Sequence, residues 1–275
     1  MSLFRAIQVY LQQHKYAINA QLLGDAASLA WTNLGYWHNT QHYPTACRQM
    51  ADHLAQAVDL NASDALLDLG CGRGASLLHW QQQYHVQQLA AVEWQVACVA
   101  QIQHHMTDVT VQQGSFLHLK QLFPQRFFDV VLCLDAAYHH SLAIFLASVR
   151  AVLQTEGRVA FHYLVLSAYG EGLSTAQQRR YTYLLQAVDI QLHQLFSFED
   201  TLKQVEDAGF DHVQIEDLST EVFAGFAHYI QQMPQKTYSV DAFKIQMTAK
   251  LCRKLYQDGV IRYVQISAQA SKRSV

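Results

Sequence analysis

The sequence predicts an α/β protein. Its seven-stranded, mostly parallel sheet carries helices on both faces, with an antiparallel last strand and a helical cap. Three observations lead there. From residue 65 onward, short apolar runs alternate with segments of helical period, the pattern of a parallel sheet covered on both sides. The first of these runs ends in a cluster of glycines. After Tyr163 the alternation breaks, and long helical stretches intrude before two final strands.

In chain order, residues 1–60 read as helical. Leu3, Phe4, Ile7, Tyr10 and Leu11 recur at helical spacing, and so do Ala51, Leu54, Ala55 and Val58. Between them lies an aromatic turn, Asn33-Leu34-Gly35-Tyr36-Trp37, closed by Pro44. Strands are expected at 65–69, 89–93, 109–112, 128–134 and 157–163, with helices at 75–83, 95–105 and 142–153 between them. An inserted helical segment covers 174–195, and a helix over 198–208 is stopped by Gly209. The last two strands, 212–217 and 260–267, form an antiparallel edge and flank a helical stretch at 220–257, where Phe243, Met247, Leu251 and Leu255 read as core. This divides the chain into an N-terminal helical lid, 1–60, and a core, 61–275, with cap insertions near 165–200 and 220–257.

Hydrophobic residues make up 51% of the 275 and charged residues 15%, enough for a large buried core and too little charge for disorder. The formal net charge is −3 and Lys and Arg are thinly scattered, which disfavours nucleic acid as a partner. No apolar run is long enough to span a membrane, and a secretory leader is not expected. The five cysteines are scattered and never paired as C-x-x-C, which fits reduced thiols in a cytoplasm. His38 and His42 are spaced for a metal on a helix. No carboxylate accompanies them and Pro44 follows, so no metal site is expected.

The central signal is Asp68-Leu69-Gly70-Cys71-Gly72-Arg73-Gly74, between a strand and a helix. Glycines there let the backbone turn sharply and approach a ligand. Glu93 ends the next strand, where a carboxylate can accept both hydrogen bonds of a ribose diol. Together they imply a Rossmann-like sheet binding an adenosine-type cofactor. Gly70, Gly72 and Ala75 also satisfy the looser dinucleotide pattern. Asp68 discriminates, because a carboxylate there repels a pyrophosphate but attracts an ammonium group.

Leu66 to Gly74 resembles motif I of the class I S-adenosyl-L-methionine-dependent methyltransferases, and the likeness extends over residues 30–165. It implies that Gly70, Cys71, Gly72 and Gly74 wrap the methionine end of the cofactor, with Asp68 near its ammonium. Glu93 would hold the ribose, and Trp94 would lie against the adenine. Many members of that family carry an acidic residue after the third strand; here the stretch is Gly114-Ser115-Phe116, whose amides and Ser115 hydroxyl would serve the adenine instead. The end of the fourth strand, Asp135-Ala136-Ala137-Tyr138-His139-His140, is similar to the sterol, tocopherol, phosphoethanolamine and natural-product methyltransferases. So is Asn33 to Trp37, which by that resemblance brings Tyr36 and Trp37 over the methionine end. His139 is then the candidate base, Asp135 a contact to the cofactor or a support for the site, and Tyr138 and His140 candidate substrate contacts.

The expected activity is methyl transfer to a small lipid-like, isoprenoid, aromatic or amine acceptor, at oxygen or carbon before nitrogen, with a homodimer as one arrangement. Two alternatives are an NAD(P)-dependent oxidoreductase using the same loop and a non-catalytic partner protein of this fold.

Overall fold

The computed structural model describes residues 19–125, 127–186, 188–234 and 239–272. The apolar stripe from Leu3 to Leu11 lies outside them. Seven strands form one sheet: β1 (Ala65–Leu69), β2 (Gln88–Glu93), β3 (Thr110–Gln113), β4 (Phe128–Cys133), β5 (Leu153–Leu166), β6 (Phe210–Asp217) and β7 (Ile261–Ala270). Their spatial order is β3-β2-β1-β4-β5-β7-β6. The first five run parallel, and β7 is antiparallel to both of its neighbours, β5 and β6. The chain leaves β1 toward β2 and β3, then returns to β4 on its other side. The carboxyl ends of β1 and β4 therefore border the crevice where sheets of this kind bind ligands.

The central strands are apolar because both of their faces are covered, whereas the edge strand β6 is mostly exposed. Leu66, Leu67, Leu69, Val130, Val131 and Leu132 are all fully buried, each burial being worth about 1.5–3 kcal/mol. Leu66, Leu132 and Ala160 join a layer built with α1 (Tyr43–Gln56), α2 (Ala75–Gln83) and α3 (Val96–His105). The same layer holds α5 (Thr175–Gln186), α7 (Gly225–Gln232) and α8 (Val240–Asp258). Leu67, Val131 and Phe161 face the opposite layer, with α4 (Leu142–Arg150) and α6 (Phe198–Asp207).

Several local expectations change. Residues 24–42 are not helical: after one turn at Ala20–Leu23, Gly24 takes a left-handed φ of 89° and the chain runs irregularly to α1. Buried Asp25 holds this path by accepting the Ala27 and Trp31 amides, so its carboxylate competes with helical bonding. Pro44 opens α1 in its first turn rather than closing the aromatic turn. β5 begins earlier than its apolar run, where Leu153 pairs with Phe128 of β4, and ends later because its pairing with β7 runs on to Leu166. The stretch 220–257 is interrupted: a π-helical turn at Thr220–Ala224 precedes α7, and α8 starts only at Val240. On α8 the buried stripe is Ile245, Ala249, Cys252 and Leu255. Phe243 (66% exposed) and Met247 (46%) point outward, so the periodicity held but the face was rotated.

Candidate active site

The glycine loop turns on three left-handed glycines, Gly70 (φ 69°), Gly72 (55°) and Gly74 (91°). A Cβ on Gly70 would meet Ala136 at 3.0 Å, and one on Gly72 would meet Thr32 Oγ1 at 2.8 Å. Conformation and space thus both demand glycine there. The same contacts show what surrounds the loop: the end of β4 on one side and the irregular segment 29–34 on the other, with Leu29 and Ile102 against Gly74.

Asp68 is buried at the end of β1. Trp80 of α2 donates its indole N–H to Oδ2 at 2.7 Å, while Oδ1 is buried without a partner. Burial pushes its pKa up to about 6, with Ser76 and Trp80 pulling the other way. Glu93 at the end of β2 accepts the Gly72 amide at 2.9 Å on Oε2 and the Gln95 amide at 2.8 Å on Oε1. It therefore pins the glycine loop to β2, and each oxygen keeps a lone pair. Burial raises its pKa, opposed by the backbone amides. Trp94, the next residue, is 70% exposed. Beyond β3, Gly114 donates its N–H to the Glu93 carbonyl, and the Ser115 hydroxyl accepts the Leu117 amide at 3.2 Å, capping a short turn. Cys71 is buried within the loop, which holds its thiol protonated.

Asp135 follows β4 in a left-handed conformation, φ 56°, that aspartate tolerates better than most residues. Its Oδ1 accepts the hydroxyls of Tyr138 and Tyr263, each at 2.8 Å, and its Oδ2 accepts the Leu34 amide at 2.8 Å. Three separate parts of the chain are tied to one carboxylate: the segment before α1, the loop after β4, and β7. Burial raises its pKa to about 6, against these donors. Its own amide donates to Nδ1 of the fully buried His162 at 3.2 Å, and burial holds that imidazole neutral with a pKa of about 3. His139 and His140 follow on a single 3₁₀ turn, Ala137–His139. The His139 ring lies 4.6 Å from that of Tyr138. The His140 ring meets Phe116 edge-on at 5.1 Å, and burial lowers its pKa.

Tyr36 and Trp37 are held from outside the loop. Tyr36 stacks on His53 of α1 at 5.0 Å, and Trp37 stacks on Tyr229 of α7 at 4.3 Å and donates its indole N–H to the Leu34 carbonyl. The structure brings Asp68, Gly70, Gly72, Glu93, Ala136 and Asp135 into one contiguous network. Two residues beside this network, His162 and Tyr263, are not singled out by the sequence: both sit within strands that read as apolar runs, and the lone histidine inside such a run is the one clue to His162.

Among the described residues no helix is long and apolar enough to cross a membrane, and no group of three His, Cys, Asp or Glu could hold a metal ion. Comparison with known structures finds the same fold in a geranyl diphosphate methyltransferase in complex with GPP and sinefungin. It is 16% identical, with TM-score 0.72, over 92% of this chain and 94% of that one. The cyclopropane synthase MmaA2 from Mycobacterium tuberculosis matches at 17% identity and TM-score 0.73, over 94% and 96% of the two chains. Geranyl diphosphate C-methyltransferase from Streptomyces coelicolor A3(2), in complex with Mg2+, geranyl diphosphate and S-adenosyl-L-homocysteine, matches at 16% and 0.70, over 94% and 96%. No curated protein matches the chain by sequence. The family profile described as a methyltransferase domain matches residues 36–215, from the aromatic segment before α1 to β6. The chain belongs to the methyltransferase-domain family.

Proposed function

We propose that the protein transfers a methyl group from S-adenosyl-L-methionine to a small-molecule acceptor, with His139 as general base. The observation that carries this reading is the buried Asp68 carboxylate, with one oxygen unpartnered, beneath a loop in which Gly70 and Gly72 leave no room for a Cβ. That arrangement fits a ligand with a cationic end approaching backbone closely. It does not suit the pyrophosphate of a nicotinamide dinucleotide, which the same carboxylate would repel.

When bound, the cofactor supplies an electrophilic methyl carbon on a sulfonium centre. The chain supplies the rest. Asp68 Oδ1 accepts from the ammonium of the methionine end. Glu93 turns its free lone pairs to the ribose hydroxyls, and the exposed Trp94 ring covers the adenine. Because the Ser115 hydroxyl already caps a turn, the Gly114–Phe116 backbone takes the larger share of adenine recognition. Asp135 acts as the support of the site, since its carboxylate is occupied by three donors from the protein itself. His139, on the turn that this carboxylate anchors, accepts the proton that the acceptor sheds on methylation. Oxygen and carbon acceptors gain most from such a base, and the geranyl diphosphate methyltransferases of like fold support an isoprenoid or lipid-like acceptor.

Calorimetric titration with S-adenosylhomocysteine and with nicotinamide dinucleotides tests the cofactor; binding of a dinucleotide alone would overturn the reading. With an acceptor identified by a methylation screen, His139→Ala should slow turnover by about 10²–10⁴-fold while S-adenosylhomocysteine affinity is kept. Unchanged turnover would remove His139 as base.

A further inference from the structure

β5 reads as an apolar strand, yet it buries an imidazole. His162 is fully buried and lies between Ala160 and Leu164 on the face of the sheet that α1 covers. The ladder between β4 and β5 gives the reason for its place. The last pair of that ladder is Cys133 with Phe161, one residue before His162. Asp135 then turns into its left-handed φ of 56°, and a side chain of β5 receives its amide: His162 Nδ1 accepts it at 3.2 Å. A ring nitrogen that accepts carries no proton, so the proton of the neutral ring sits on Nε2. Nε2 is buried and has no partner among the described residues. An apolar side chain in this strand would avoid the cost of that unmatched N–H. What the imidazole gives in return is an acceptor for a turn in a sparsely populated conformation, the kind of turn that marks functional sites.

From this bond an unbroken series of contacts leads to His139. The Asp135 carboxylate accepts the Tyr138 hydroxyl on Oδ1 at 2.8 Å. The same oxygen accepts the hydroxyl of Tyr263, whose ring lies 5.3 Å from that of His162. The Tyr138 ring lies 4.6 Å from the His139 ring, and the His139 amide closes the turn on the Ala136 carbonyl at 3.5 Å. We infer that His162 is a positioning residue for methyl transfer: by accepting the Asp135 amide it holds the clamp that presents His139. It acts through Asp135 and Tyr138, not on the substrate. The inference rests on the reading above, with His139 as base. Only the neutral ring can serve, because a protonated Nδ1 would set a second N–H against the Asp135 amide, and burial keeps the ring neutral.

The test asks whether His162 and His139 work as one unit. His162→Leu keeps apolar bulk and deletes the ring acceptor, whereas His162→Asn sets a side-chain oxygen where Nδ1 stood. Both are made in wild type and in His139→Ala. Turnover of an acceptor found by a methylation screen gives kcat and KM, and calorimetry gives S-adenosylhomocysteine affinity. His162→Leu should lower kcat by about tenfold or more and leave S-adenosylhomocysteine affinity within about twofold of wild type, and His162→Asn should recover most of the loss. In His139→Ala, His162→Leu should change kcat by less than about twofold, since positioning a base has no effect once the base is gone. A merely structural role gives the same loss in both backgrounds. That result, or an unchanged kcat in the wild-type background, would overturn the assignment. Should His162→Leu fail to fold, nitrogen NMR of the wild-type protein decides together with His162→Asn. His162 should keep its proton on Nε2 from about pH 5 to about pH 8, and a proton on Nδ1 in that range would overturn the assignment. Failure of the wild-type protein to bind S-adenosylhomocysteine at all would instead overturn the methyltransferase reading on which the inference stands.

Discussion

Asp68 concentrates the electrostatics of the site in one side chain. Its folded pKa of about 6 lies above that of an exposed aspartate because burial penalises the charge. In the ligand-free protein the cost of ionising it is felt in full above about pH 6 and is relieved as pH falls through that value toward about 4. Asp68→Asn removes this cost. The variant should therefore melt at a higher temperature relative to wild type at pH 7.5 than at pH 5, and a difference independent of pH would sink the argument. Ligand binding runs the other way, since only the carboxylate attracts an ammonium. Affinity for S-adenosylhomocysteine should fall by up to about tenfold per pH unit below pH 6 in wild type, and Asp68→Asn should flatten that dependence. Asp68 and Glu93 were legible in the sequence because strand-end acids beside a glycine loop are fixed by local spacing. Tyr263 was not, because its role depends on which carboxylate lies beside it once the whole chain has folded.

At the scale of elements, the Asp135 carboxylate couples three that share no sequence neighbourhood. Tyr263→Phe keeps the ring packed against Phe223 and His162 and deletes only the hydroxyl bond. It should cost about 1–2 kcal/mol in urea unfolding and accelerate hydrogen exchange at the Leu34 amide. Ser219→Ala is the comparison, because Ser219 accepts the Tyr263 backbone amide without touching Asp135. It should lower stability and leave Leu34 exchange at its wild-type rate, so equal exchange in the two variants would argue against the coupling. A second element-scale prediction concerns α7. Alanine is a better helix former than glycine by about 1 kcal/mol, yet a Cβ at Gly225 would fall 2.4 Å from Trp37 Cβ. Gly225→Ala should therefore destabilise the protein by about 1–3 kcal/mol and shift Trp37 from its stack on Tyr229, visible as a change in tryptophan fluorescence. The helical expectation for 1–60 rests on stripes at 3–11 and 51–58, and outside the turn at Asn33–Trp37 it extends over a stretch, 24–42, that is irregular. What decides it is Asp25 capturing two amides.

Over the whole molecule, the strands were the most legible feature. A parallel strand buried on both faces must be continuously apolar, and β1, β2 and β4 lie where their apolar runs placed them. The spatial order was not legible in the same way, since a run of apolar residues does not say which neighbour it will pair with. That order has a consequence in time. β6 bonds to β7 and β7 to β5, so β6 joins the sheet only through a strand that follows it by the length of α7 and α8. A chain emerging from the ribosome can assemble β1 to β5 while β6 still waits for a template. Such a late, non-local pairing is slow by topology. The strand that ends the wait also brings Tyr263 to Asp135. Sheet closure and completion of the clamp are therefore one event, and a nascent protein holds its glycine loop well before it holds the latch across it.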